Sequence, residues 1–186
     1  MKSLRHQLQF QGSRIRKEIN DETKVRQFLN AMFGGKNSQG QSGFDAVKGV
    51  PLRNLAALNQ SELLSAEELN HYVSRYYRDG RAKLEGPLNW YRTHSPNYLD
   101  ELRLLLRPIR FSMPALFLST GRDDMFPQAL CENMDQHFDN LTRGEVDPSH
   151  WAHWKSPLDV NQQLMAWLAT VVQRDTNLGM VLDSGS

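Results

Sequence analysis

At 186 residues, with 39% apolar and 23% charged side chains, the chain is sized for one domain and is lean in core-forming residues. A net charge of +1 without a block of Lys or Arg argues against nucleic acid and anionic membrane as partners and favours small molecules. No apolar run approaches the roughly 20 residues of a bilayer span, and Met1-Lys2-Ser3-Leu4-Arg5 has no apolar stretch behind it, so a soluble cytoplasmic protein is expected. In chain order, Val25, Phe28, Leu29 and Met32 recur at helical spacing between Asp21 and Phe33, and Gly34-Gly35 stops that helix. Residues 34–50 are rich in Gly, Ser, Gln and Asn and read as a flexible loop from which no core is built. Ser65-Ala66-Glu67-Glu68 has capping-box spacing, with Leu69, Tyr72, Val73 and Tyr76 following on one face and Gly80 ending the helix. Pro87 suits the first turn of a short helix through Trp90 and Tyr91.

The character changes at Met113. Pro114-Ala115-Leu116-Phe117-Leu118-Ser119 is an unbroken apolar run, the pattern of a strand covered on both faces in a parallel sheet. A helix opened by Pro127, carrying Leu130, Met134 and Phe138, is expected next, then a weaker strand from Leu141 to Val146. A last helix opened by Pro157 carries Val160, Leu164, Trp167, Leu168 and Val171, and 176–186 reads as a frayed tail. Strand, helix, strand, helix implies a right-handed crossover and an α/β class. Two parallel strands cannot complete such a sheet, so further strands, from a complementing chain or from self-association, are expected. The organisation expected is 1–105 helical, 106–175 strand-helix-strand-helix, and 176–186 tail.

In open parallel sheets, ligands bind beyond the carboxyl ends of the strands. Asp123 follows the first expected strand in Thr120-Gly121-Arg122-Asp123-Asp124, and His150 follows the second in Asp147-Pro148-Ser149-His150-Trp151. Adjacent strands lie about 4.8 Å apart, so these turns can bring a carboxylate to an imidazole and fix its tautomer. An Asp in a turn is more often a local cap; the pairing with His150 favours function. Asp124 competes for the histidine, but alignment to the strand end favours Asp123. Cys131, the single cysteine, excludes an intrachain disulfide and reads as buried and inert. His71, His94 and His137 lack clustered ligands, His153 and Trp154 read as pocket cover, and neither metal nor cofactor is expected.

The segment Gly86-Pro87-Leu88-Asn89-Trp90-Tyr91-Arg92, with Pro114-Ala115-Leu116, Asp123, His150-Trp151, Pro157 and Val160-Asn161, resembles the soluble epoxide hydrolases of the α/β-hydrolase fold. The resemblance runs from about Arg5 to Leu168 and corresponds to the helical lid and last strands of that family, a partial α/β-hydrolase fold. It implies hydrolysis of a small apolar epoxide to a diol. A nucleophilic aspartate opens the ring, Tyr91 donates to the ring oxygen, and His150, oriented by Asp123, activates water against the ester. Trp90 and Trp151 are implied to contact substrate.

The departures are specific. His6 stands near the place of a second lid tyrosine, and no His-Asp-Trp-Gly type turn occurs. Gly40-Gln41-Ser42-Gly43-Phe44 is no nucleophile elbow, because its second glycine comes one residue early. The chain alone is therefore expected to be inactive, a fragment or pseudoenzyme binding a ligand or partner being the alternative. The setting of Tyr91 favours epoxides over dehalogenase or esterase substrates.

Overall fold

The computed structural model describes residues 5–106, 109–121, 123, 126, 128–146 and 150–183. Two units result, Met1–Arg103 and Leu104–Ser186. No helix among the described residues is long and apolar enough to cross a membrane.

The first unit contains helices α1 (Arg5–Gln11), α2 (Arg14–Glu18) and α3 (Glu22–Met32), a 3₁₀ segment Leu52–Ala57, and α4 (Ala66–Tyr76). A hairpin, β1 (Tyr77–Arg78) and β2 (Arg81–Ala82), leads to α5 (Glu85–Arg92) and α6 (His94–Glu101). Helix α3 begins where Asp21 accepts a hydrogen bond from the Lys24 amide. Helix α4 begins with both halves of the Ser65/Glu68 capping box in place. Val25, Phe28 and Leu29 of α3 and Leu69 and Val73 of α4 turn inward with Phe10, Ile15 and Leu88. Ile15 and Val25 have no exposed surface.

Two readings of the sequence change here. Helix α4 does not run to Gly80; it stops at Tyr76, and Asp79 and Gly80 take φ of 55° and 69° in a two-residue hairpin turn. Both central residues of that turn need positive φ, which Asp-Gly supplies, so the turn chemistry overrides the helical pattern. The 34–50 loop, read as contributing no core, buries Gly35, Gly43 and Val50. Its turns close on themselves through Asn37, whose Oδ1 accepts from the amides of Gln39 and Gln41, and Asp45, whose Oδ1 accepts from Val47 and Lys48. Buried Asn30 ties the neighbouring backbone to α3, donating to Asn59 O (2.9 Å) and accepting from the Ser61 amide (2.7 Å).

The second unit begins within a 3₁₀ segment, Leu102–Leu106, and contains β3 (Phe111–Thr120), β4 (Phe138–Val146), α7 (Ala152–Lys155) and α8 (Pro157–Asp183). Strands β3 and β4 pair in parallel, Ala115 opposite Leu141 and Thr120 opposite Val146, with an irregularity between Phe111 and Pro114. The irregularity falls where proline has no amide to give the ladder. Helix α8 packs on both strands, and Val160 joins Val146, Ala152 and Leu118 in a small core.

The helix expected after Pro127 is absent from the described residues. Two 3₁₀ turns, Gln128–Leu130 and Met134–His137, occupy the connection, and Phe138 already belongs to β4. Tertiary contacts decide this: the Phe138 ring packs on Phe111 (5.2 Å between centroids), while Arg143 donates to Asp135 (2.7 Å) and to Cys131 O (2.7 Å). These draw the segment onto the strand before a regular helix can form. Pro127 itself lies outside the described residues. Helix α8 continues to Asp183, through most of the stretch read as a tail, with no proline to interrupt it.

Candidate active site

Strands β3 and β4 end side by side at Thr120 and Val146, so the segments that follow them leave from the same edge of the sheet. That placement brings Asp123 to His150. Asp123 Oδ1 accepts from the Phe126 amide (3.2 Å), and Oδ2 lies 3.1 Å from His150 Nδ1. A carboxylate only accepts, so Nδ1 carries the hydrogen, and in the neutral imidazole Nε2 is left bare as a proton acceptor. The carboxylate side chain is 12% exposed and the imidazole 51%, so the acid is sheltered while the base is open to solvent. Trp151 meets His150 edge-on at 5.6 Å, and Trp154 meets Trp151 edge-on at 5.4 Å. Asp124 lies outside the described residues.

Both members of the pair line a cavity of 390 Å³ within the second unit. Its apolar wall includes Phe117, Phe126, Val146 and Val160, and its polar lining includes Ser119, Glu145 and His153. Such a cavity, apolar with a few convergent polar groups, is of the size that holds a small organic ligand. Cys131 is buried as expected, but in this wall and not on a helix. Glu145 and Phe126 had no place in the sequence reading. Glu145 is next to last in β4, and its place at the strand's carboxyl end is the signal that could have found it; Phe126 follows Asp123 by three residues and has no such signal.

Tyr91 belongs to the first unit, on the last turn of α5. Its ring packs edge-on against Phe10 (4.8 Å) and His6 (6.1 Å), and burial pushes its phenol above the ordinary value. The phenol is therefore the neutral, hydrogen-donating form throughout the physiological range. Two ionic contacts hold α5: Glu85 lies between Arg16 and Arg92, and Arg92 Nε donates to Gln11 O (3.2 Å). Both arginines hold the Glu85 carboxyl below the usual range, Arg16 more strongly. Trp90, beside Tyr91, is 76% exposed.

No protein-family model matches the chain. Epoxide hydrolase srdG of Neurospora crassa is 37% identical over 167 residues, covering 86% of this chain and 48% of that protein. Bifunctional epoxide hydrolase 2 of Mus musculus is 31% identical over 140 residues, or 72% of this chain and 24% of that protein. Among solved structures, epoxide hydrolase A from Mycobacterium thermoresistibile matches with a TM-score of 0.57 and 25% identity, over 88% of this chain and 51% of that one. The chain is related to the epoxide hydrolases. It carries part of an α/β-hydrolase fold and spans about half the length, or less, of the curated relatives it matches.

In this epoxide hydrolase relative Glu145 and His153 share the cavity with the Asp123–His150 pair, whereas His71, His94 and His137 do not line it. His71 is exposed beside Tyr72, His94 is exposed at the start of α6, and His137 Nδ1 lies 3.3 Å from Ile109 O. Among the described residues no group of three or more His, Cys, Asp or Glu is arranged to hold a metal ion.

Proposed function

We propose that this chain supplies the proton donor and the water-activating base of an epoxide hydrolase acting on a small apolar epoxide. The observation that supports this reading best is the 3.1 Å contact between Asp123 and His150 Nδ1 beyond the carboxyl ends of two parallel strands. The nucleophilic carboxylate is assigned to polypeptide outside this sequence, because no His-Asp-Trp-Gly type turn occurs in it. Attack of that carboxylate on a ring carbon forms an ester and breaks the ring C–O bond. The Tyr91 phenol gives its proton to the departing oxygen. An alkoxide is far more basic than a phenolate, so the transfer runs downhill even with the phenol raised by burial. His150 Nε2 then takes a proton from water as the oxygen adds to the ester carbonyl, and Asp123 stabilises the imidazolium. As the intermediate collapses the imidazolium returns its proton to the departing diol oxygen, and the second proton of the water restores the Tyr91 phenol, leaving the diol and the free carboxylate. Trp90 and Trp151 are assigned to the apolar part of the substrate.

The reading is tested by fusing the chain to the nucleophile-bearing segment of an epoxide hydrolase and measuring diol formation. Tyr91→Phe is expected to lower kcat by about two or three powers of ten, and His150→Gln to leave an ester that accumulates without turning over. A folded fusion that forms no ester and no diol would refute the assignment.

A second reading is favoured by one observation. Met113, Leu158 and Met165 of the second unit are each more than 60% exposed, large apolar side chains open to water. With β3 paired on one side only among the described residues, we infer a complementing chain that covers these side chains, in a cytoplasmic setting consistent with the single cysteine. Sedimentation of the chain as a monomer, with no change on adding the nucleophile-bearing segment, would remove it.

A further inference from the structure

His6 lies on α1 and is 2% exposed, a buried imidazole among the rings of Phe10, Phe44 and Tyr91. Its Nδ1 is 2.7 Å from the carbonyl oxygen of Ala46. A carbonyl only accepts, so Nδ1 carries the hydrogen and Nε2 of the neutral ring is bare. The ring therefore has no hydrogen at Nε2 to give to a second atom. Three residues along the same helix face, Gln9 takes the same loop by both ends of Val50, with Nε2 donating to its carbonyl (2.9 Å) and Oε1 accepting from its amide (2.8 Å). Gly49 is the residue over which Gln9 reaches, and a Cβ there would collide with Oε1. Phe10, the next residue on α1, meets the Tyr91 ring at 4.8 Å. One helical face thus holds two things at once, the segment Asp45–Val50 and the ring of Tyr91, and His6 is the side chain that touches both.

We propose that His6 is a positioning residue for Tyr91, pinned by Ala46 in the tautomer with Nε2 bare, and that it couples the loop 45–50 to the phenol without serving as a second proton donor. The inference takes the role of Tyr91 from the proposed function. Its tests do not require turnover, so the two can fail separately.

Nitrogen NMR of the intact chain reads the tautomer directly: the hydrogen is expected on Nδ1 of His6, and finding it on Nε2, or on both nitrogens at neutral pH, would overturn the proposal. His6→Phe keeps a ring against Tyr91 but removes the donor. Amide exchange from Ala46 to Val50 should then quicken about three- to tenfold, the loss of one net hydrogen bond, and the Tyr91 ring resonances should shift with it. His6→Asn keeps a donor at the Nδ1 position and removes the ring, so loop protection should be largely retained while the Tyr91 resonances move. Gln9→Ala should loosen Val50 and leave Tyr91 in place. Unchanged Tyr91 resonances in both folded His6 variants would refute the coupling, as would a Gln9→Ala variant that moves Tyr91 as far as His6→Phe does.

Discussion

Gly43 offers a sharp test of whether the polar loop 34–50 is part of the first unit's core. A Cβ built on it would stand 2.7 Å from Ala31 Cβ and 3.0 Å from Ala31 Cα, and closer still to Leu58 Cδ1. Carbon atoms prefer about 3.5 to 4.0 Å. The Leu58 methyl can swing away, because that side chain is half exposed, but Ala31 is fixed in α3. Gly43→Ala must therefore lift the loop by several tenths of an ångström, at a cost of about 1–3 kcal/mol as in other overpacked cores. For a unit of about 100 residues, 1 kcal/mol is about 4–8 °C, so its melting point should fall by roughly 5–20 °C. Gly86→Ala is the control: nothing lies within 4 Å of the new Cβ, and the site is helical, so a gain of up to about 1 kcal/mol is expected. Thermal melts by circular dichroism compare the two. A Gly43→Ala protein melting within about a degree of the parent would show that the loop does not pack on α3 as described. Phe44 adds a second readout, since it stacks on Phe10 (6.3 Å) and meets His6 (5.4 Å), so the same substitution should disturb the aromatic group around Tyr91.

Ser65→Ala should destabilise the first unit by about 0.5–2 kcal/mol in urea melts through loss of the cap on Glu68 N. The backbone hydrogen bond from Ser65, and then its side chain, hold the Glu68 carboxyl below the ordinary value. Its stabilising contribution is therefore full above the ordinary glutamate range and is lost as pH falls through the lowered value, and Glu68→Gln should flatten that part of the acid profile. Gly80→Val should cost roughly 1–2 kcal/mol at φ 69°, with faster exchange of the Lys83 amide, which donates to Tyr76 O at 2.7 Å. For Tyr91, raised by burial, the sign is opposite: its contribution holds up to the ordinary phenol value near 10 and is lost as pH rises through the raised one. Tyr91→Phe should remove that alkaline loss, and an unchanged alkaline limb in stability measurements would refute the burial of the phenol.

Helices α3, α4 and α5 and the last strand pair were legible because the signals are local. Asp21 and Ser65 carry the caps of α3 and α4, an apolar stripe at spacings of three and four sets a buried face, and the unbroken run from Pro114 to Ser119 marks a strand, although the expected cover on both faces is not met: no residue of β3 is fully buried. The meeting of Asp123 with His150 was also legible, because parallel pairing leaves the segments after two adjacent strands at one edge. The hairpin at Asp79-Gly80 was written in the sequence but outweighed by the helical period before it.

What the tertiary structure alone decided depends on contacts between distant residues. The region after Pro127 has helical spacing, yet Phe138 pairs with Phe111 and Arg143 with Asp135, 27 and 8 residues away, and those bonds set its path. The loop 34–50 has the composition of a linker, but its small glycines admit Ala31 and Gln9 at distances any side chain would block. His6 gave no sign in the sequence that it would be buried with its Nδ1 on Ala46, 40 residues on. Local spacing fixes which residues can form an element; which polar atoms are left without water, and so must find one another, is settled only when the elements pack.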